Sequence, residues 1–87
     1  MITVYGIYDK RTYETVYIGI TEKSLKERFR NHKNQKQLAV FQFINLVGVD
    51  HFGIREIQKC NNKSEALICE SEFIKLYRPK LNKNKTS

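Results

Sequence analysis

Two β-forming runs joined by a short polar link set the strongest limit on how this chain can fold. Ile2-Thr3-Val4-Tyr5-Gly6-Ile7-Tyr8 and Thr15-Val16-Tyr17-Ile18-Gly19-Ile20-Thr21 are rich in β-branched and aromatic residues. Such residues suit a pleated, half-buried surface. A parallel crossover between strands needs about a dozen residues or more. The turn-like Asp9-Lys10-Arg11-Thr12 is too short for that, so the two runs pair as an antiparallel hairpin. No Asn-Gly or Asp-Gly marks the turn, and its type stays open.

The rest of the chain supplies the layers that cover this hairpin. Ser24-x-x-Glu27 is a capping-box pattern that opens a helix. Leu25 and Phe29 share one face of it, which must pack on the core. Arg28 and His32, also four apart, share a neighbouring face. After the polar break Lys33-Asn34-Gln35-Lys36, residues 37–47 are apolar at 40, 41, 44 and 47, a helical spacing that Gly48 ends, although the Val and Phe content also allows a strand. Residues 52–58 read as a third strand, with Phe52, Ile54 and Glu56 on one side and Gly53, Arg55 and Ile57 on the other. Asn61-Asn62-Lys63 reads as a turn, Ser64 as the N-cap of a last helix through Tyr77, and Pro79 as its stop. The order β-β-α-α-β-α predicts an α+β domain: a three-stranded antiparallel sheet flanked by three helices. One domain over residues 1–82 is expected, followed by a basic, frayed tail at 83–87.

Composition narrows the class of partner. The 87 residues carry 16 Lys or Arg against 9 Asp or Glu, a formal net charge of +7. With 40% apolar residues, five Tyr and five Phe, the chain is globular rather than disordered. A compact domain this basic points to polyanionic partners, nucleic acid before a membrane surface. A basic surface also serves solubility alone. No apolar run approaches the roughly 20 residues of a membrane span. The first residues lack the pattern of a secretory signal, so a cytoplasmic protein is expected. Cys60 and Cys69 lack paired metal-ligand spacing and are read as reduced and structural.

Chemistry on a phosphodiester needs a base for water, a cation against the charge growing on phosphate oxygens, and an oxygen-bound divalent metal. It also needs a proton for the leaving oxygen. Tyr17, Arg28, His32 and Glu70 together can fill those jobs, although most basic domains contain such residues. Each has a plain structural alternative. The tyrosines could be ordinary strand aromatics, and Arg28 could pair with Glu27 or Glu22. His32 could close a helix C-terminus. Glu72 and Glu56 are rivals of Glu70; Glu72, two residues on, points away from the Glu70 face of the helix.

The ordered set of motifs resembles the GIY-YIG nuclease superfamily over about residues 3–82. Tyr17-Ile18-Gly19 matches the second half of its signature. Tyr17 to His32 follows Tyr-Ile-Gly-x5-Leu-x2-Arg-x3-His, and Gly48 to Phe52 follows Gly-x-x-x-Phe. Ala66 to Asn82 is similar to the terminal helix with its metal-binding Glu and closing Pro-x-x-Asn. The literal Gly6-Ile7-Tyr8 invites the first half of the label, but Tyr8 stands closer to Tyr17 than is usual and Tyr5 slightly farther. Tyr5 is preferred, because Ile7 then supplies the apolar residue two after it. Thr3 then replaces the family's glycine. Tyr5 and Tyr8 face opposite sides of the strand, so one of them alone belongs to the site.

The resemblance implies a metal-dependent endonuclease acting on DNA, with RNA left open. Tyr17 or the first-strand tyrosine (Tyr5 or Tyr8) would be the general base. Arg28 would hold the scissile phosphate, and His32 would pass protons or orient the tyrosine. Glu70 would bind one Mg²⁺ or Mn²⁺, and Asn82 would orient Glu70 or a phosphate. Lys23, Lys26, Arg30, Lys33 and Lys36 cluster on and after the first helix. Arg78 and Lys80 lie near the C-terminus, and both groups are expected to track nucleic-acid phosphates. The alternative is a catalytically silent nucleic-acid-binding module of the same fold. A monomer or weak homodimer is expected, with no membrane partner.

Overall fold

The computed structural model describes residues 1–34 and 39–82, with side chains left aside over 31–41. The chain runs β1 (Ile2–Asp9), β2 (Thr15–Thr21), α1 (Leu25–Asn34), α2 (Ala39–Val47), a 3-10 turn (Val49–His51), β3 (Phe52–Cys60) and α3 (Lys63–Tyr77). The sheet order is β2-β1-β3, with both neighbours antiparallel to β1. This is the α+β fold that the sequence predicts.

The central strand is covered on both faces, and its burial pattern shows why. Val4, Tyr5, Gly6 and Ile7 are all buried, where a sheet wet on one side would alternate. Ile2, Val4, Ile18 and Cys60 pack under Ala66 and Ile74 of α3. On the other face Tyr5, Ile7, Val16, Ile44 and Phe52 form a second cluster, joined by Leu25 and Phe29 of α1 and Phe43 and Val47 of α2. Two β-bulges adjust which residues face each cluster. Ile7 pairs with Tyr17 but Tyr8 with Thr15, so Val16 is the extra residue, and Val16 and Tyr17 both pack into the second cluster. The other bulge lies between Val4 and Tyr5 against β3.

Local chemistry explains the element ends. The Glu27 amide donates to Ser24 Oγ at 3.2 Å, which opens α1 as the capping pattern predicts. Gly48, at φ 128°, ends α2 in a conformation that side chains rarely adopt. Three boundaries differ from the sequence reading. Strands β1 and β3 run on to Asp9 and Cys60, because both keep pairing with each other at their ends. The last helix is capped by Asn62, not Ser64. Asn62 Oδ1 accepts from the Glu65 amide at 3.0 Å, and Glu65 Oε1 accepts from the Asn61 amide at 3.3 Å. Lys63 is therefore helical rather than part of the turn.

The hairpin turn is built on Asp9. Its carboxylate accepts the Arg11 amide at 2.9 Å and the Arg11 side chain at 3.0 and 2.8 Å. The Arg11 guanidinium holds the carboxyl at about 2, below its ordinary 3.8. The folded value lies below the unfolded one, so the contribution is present above about pH 4 and is lost as pH falls towards 2. Acid unfolding should therefore show native protein losing stability over that interval. Asp9→Asn should flatten this dependence, as read by thermal unfolding from pH 6 down to 2.

Candidate functional site

Tyr5, at the centre of β1, is fully buried, and its hydroxyl accepts a hydrogen bond from Arg28 Nε at 3.1 Å. A helix beginning at Leu25 turns Leu25 and Phe29 onto the sheet. Arg28, one residue before Phe29, is thereby carried to the rim of the same face. Tyr17 lies beside Tyr5 with ring centroids 6.3 Å apart, tilted by 41°. Unlike Tyr5, Tyr17 is only half-buried. Burial pushes both phenols above their ordinary value, while the Arg28 charge pulls them down and the Glu70 carboxylate pushes them up. Glu70 is half-buried on α3 and close enough for its charge to act on both tyrosines.

The space for this arrangement comes from Gly19. It pairs with Tyr5 across the two strands. A Cβ at Gly19 would lie 2.6 Å from the Tyr5 hydroxyl, 2.8 Å from its Cζ and 3.0 Å from Tyr17 Cε2. A glycine inside a strand flags such a close approach. That signal was available in the sequence, although nothing there named what approaches.

Asn82 sits on the free edge of β2. Its Oδ1 accepts the Ile18 amide at 2.7 Å, and its Nδ2 donates to the Ile18 carbonyl at 2.8 Å. The Leu81 amide adds a bond to the Val16 carbonyl at 2.9 Å. A side-chain amide thus completes the edge of the strand that presents Tyr17 and Gly19, a role that spacing alone did not disclose. Asn82→Ala leaves the Ile18 amide and carbonyl without these partners. The expected cost is about 1–3 kcal/mol of stability, read by chemical denaturation, with faster amide exchange at Ile18.

The remaining candidates divide by position. Tyr8 lies on the opposite face, packed over Gly53, so the structure groups Tyr5 and not Tyr8 with Tyr17 and Arg28. Glu72 is exposed, and Glu56 is exposed and 3.8 Å from Lys59. Lys23, Lys26 and Arg30 are exposed at and along α1. Arg78 caps α3 in a left-handed conformation, and Lys80 Nζ lies 5.4 Å over the Phe43 ring, on the α2 side. An open cleft lined by Ile74, Lys75, Arg78, Pro79 and Asn82 adjoins the Asn82 contact. The side chains of His32 and Lys33, and all of Lys36 and residues 83–87, lie outside the described residues.

The model of the GIY-YIG catalytic domain matches the chain over residues 1–85. The chain belongs to the GIY-YIG family. This GIY-YIG domain is 32% identical over 80 residues to Uncharacterized protein 019R of Invertebrate iridescent virus 6, covering 85% of the chain and 28% of that protein. It is 33% identical over 79 residues to UvrABC system protein C of Idiomarina loihiensis, covering 91% of the chain and 12% of that protein. The domain therefore spans well under half the length of either relative. No solved structure matches it. Membership of the family supports a nuclease-type function. Among the described residues, no helix of this GIY-YIG domain is long and apolar enough to cross a membrane.

Proposed function

We propose that this GIY-YIG domain is a metal-dependent endonuclease that hydrolyses phosphodiester bonds of DNA. The observation that carries the reading is the grouping of Arg28, Tyr5 and Tyr17 on one face, with the Glu70 charge acting on both phenols. Arg28 spends its Nε on Tyr5 and turns the rest of its guanidinium to the scissile phosphate, where a planar fork suits two oxygens. Tyr5, fully buried, positions Arg28. Tyr17, half-buried, is the tyrosine that meets the attacking water. Its phenol is held up by burial, so a base role depends on positive charge arriving nearby, with Arg28 the charge already present. His32 passes the proton, and the exposed cations of α1 hold the flanking phosphates.

A divalent ion fits the donor set in a particular way. Among the described residues no three His, Cys, Asp or Glu side chains come together, so a zinc-like cage is not what these residues offer. One carboxylate, Glu70, suits Mg²⁺ or Mn²⁺, which keeps most of its waters and takes phosphate oxygens. Such an ion supplies charge against the phosphate and acidifies water.

The test is plasmid nicking with Mg²⁺ and with EDTA, comparing the native chain with Glu70→Ala and Arg28→Ala. Metal-dependent nicking that both substitutions abolish in folded protein supports the reading. A native chain that binds nucleic acid but cuts neither DNA nor RNA in any metal is a silent binding module.

A further inference from the structure

The literal Gly6-Ile7-Tyr8 motif leads to a second group of side chains, on the sheet face away from Arg28. The Tyr8 ring lies over Gly53 so closely that a Cβ there would be 2.7 Å from its Cζ and hydroxyl. The Arg55 guanidinium stands 5.4 Å from the Tyr8 ring centroid and donates to Thr15 Oγ1 at 2.7 Å. Tyr13 from the hairpin turn stacks on Tyr8, with ring centroids 6.4 Å apart and planes within 13°. The core cluster under α3 is made of Ile2, Val4, Ile18 and their neighbours and does not include Tyr8. The result is a group at the hairpin end of the sheet in which the Tyr8 ring meets both Arg55 and Tyr13.

Two features of Tyr13 set it apart from a packing residue. The residue is 74% exposed, so its contact with Tyr8 leaves most of it in water. Its backbone sits at φ 63°, in the left-handed region where turns ordinarily place Gly, Asn or Asp. An aromatic side chain is thus held in an unfavourable conformation with little burial in return. Strain of this kind points towards a ligand.

We propose that Tyr13, backed by Tyr8 and Arg55, is a stacking platform for an unpaired base of a single-stranded nucleic-acid segment. The net charge of +7 favours a polyanion over other partners. An open aromatic face selects unpaired bases, because bases within a duplex already have both faces covered. Asp9 is paired with Arg11, and the exposed Lys10 and Glu14 offset each other. Recognition at this end therefore rests on the ring face, while phosphate tracking stays with α1. The proposal rests on nucleic acid being the partner, as in the function proposed above, and does not depend on catalysis.

The experiment is a fluorescence-anisotropy titration with a labelled oligothymidylate of ~12 nucleotides, within the usual footprint of single-strand binders, and with a duplex of the same length. Tyr13→Asn should weaken single-strand binding by roughly 10- to 100-fold, and by more than it weakens duplex binding. Tyr13→Phe, which keeps the ring, should bind as the native chain does. Asn accepts the left-handed backbone, so the melting temperature of Tyr13→Asn should be unchanged or higher, which excludes misfolding as the cause. If Tyr13→Asn binds the single strand as tightly as the native chain, the platform is overturned while the proposed nuclease stands. If the native chain binds neither probe, both readings fall.

Discussion

Arg28→Ala should reduce nicking by at least 10²–10³-fold, the usual scale for losing a preorganised group that stabilises developing charge. The loss has two parts. The phosphate loses its guanidinium, and the Tyr5 hydroxyl, fully buried, loses the donor 3.1 Å away. The second part alone should cost about 1–3 kcal/mol of stability, so unfolding must be followed beside activity. Arg28→Lys separates the two. An ammonium restores the charge but cannot reach Tyr5 and fork onto a phosphate together. Stability should recover in part, with nicking still far below native. Single-turnover rates with saturating DNA read the chemical step apart from affinity. An Arg28→Lys variant cutting at the native rate would reduce Arg28 to a simple charge.

Gly19→Ala should be the most damaging single-methyl change in the molecule. The added Cβ would fall 2.6 Å from the Tyr5 hydroxyl and 2.8 Å from Cζ, inside any tolerable contact. Tyr5 cannot give way, because it is fully buried on the central strand with β2 on one side and β3 on the other. Overpacking of this kind costs about 1–3 kcal/mol. It also pushes the phenol off Arg28 and the neighbouring Tyr17 ring off its place, so nicking should fall with stability. Tyr5→Phe in the same chain removes the nearest clashing atom and should recover part of the stability lost, though not the activity. A double-mutant cycle measured by denaturant unfolding checks the coupling. Strictly additive effects would show that Gly19 and Tyr5 do not meet as described.

Much of the fold could be read from residue pattern because the relevant physics is local. Strand β2 coincides with the run from Thr15 to Thr21, and α2 closes at Gly48 as its backbone freedom allows. Ser24 opens α1 through a bond three residues away. Where two caps compete within three residues, as Asn62 and Ser64 do, side-chain reach decides, and pattern alone chose the wrong one. The candidate site was legible as residue types: Tyr17, Arg28 and Glu70 stood in an ordered motif set, and Tyr5 was preferred over Tyr8 because Ile7 follows it by two.

What sequence alone determined is the order of elements, the basic character and the family. Each follows from neighbours along the chain or from motifs in series. Tertiary structure decided which groups meet. Burial made Tyr5 a holder of Arg28 and left Tyr17 the more open phenol. It turned Asn82 onto the Ile18 main chain and placed Tyr8 with Tyr13 and Arg55 on the far face. Those outcomes depend on strand register, two bulges and the crossing of α1 over the sheet. They arise from contacts between residues far apart in the chain, such as the 64 positions between Ile18 and Asn82, which no local pattern encodes.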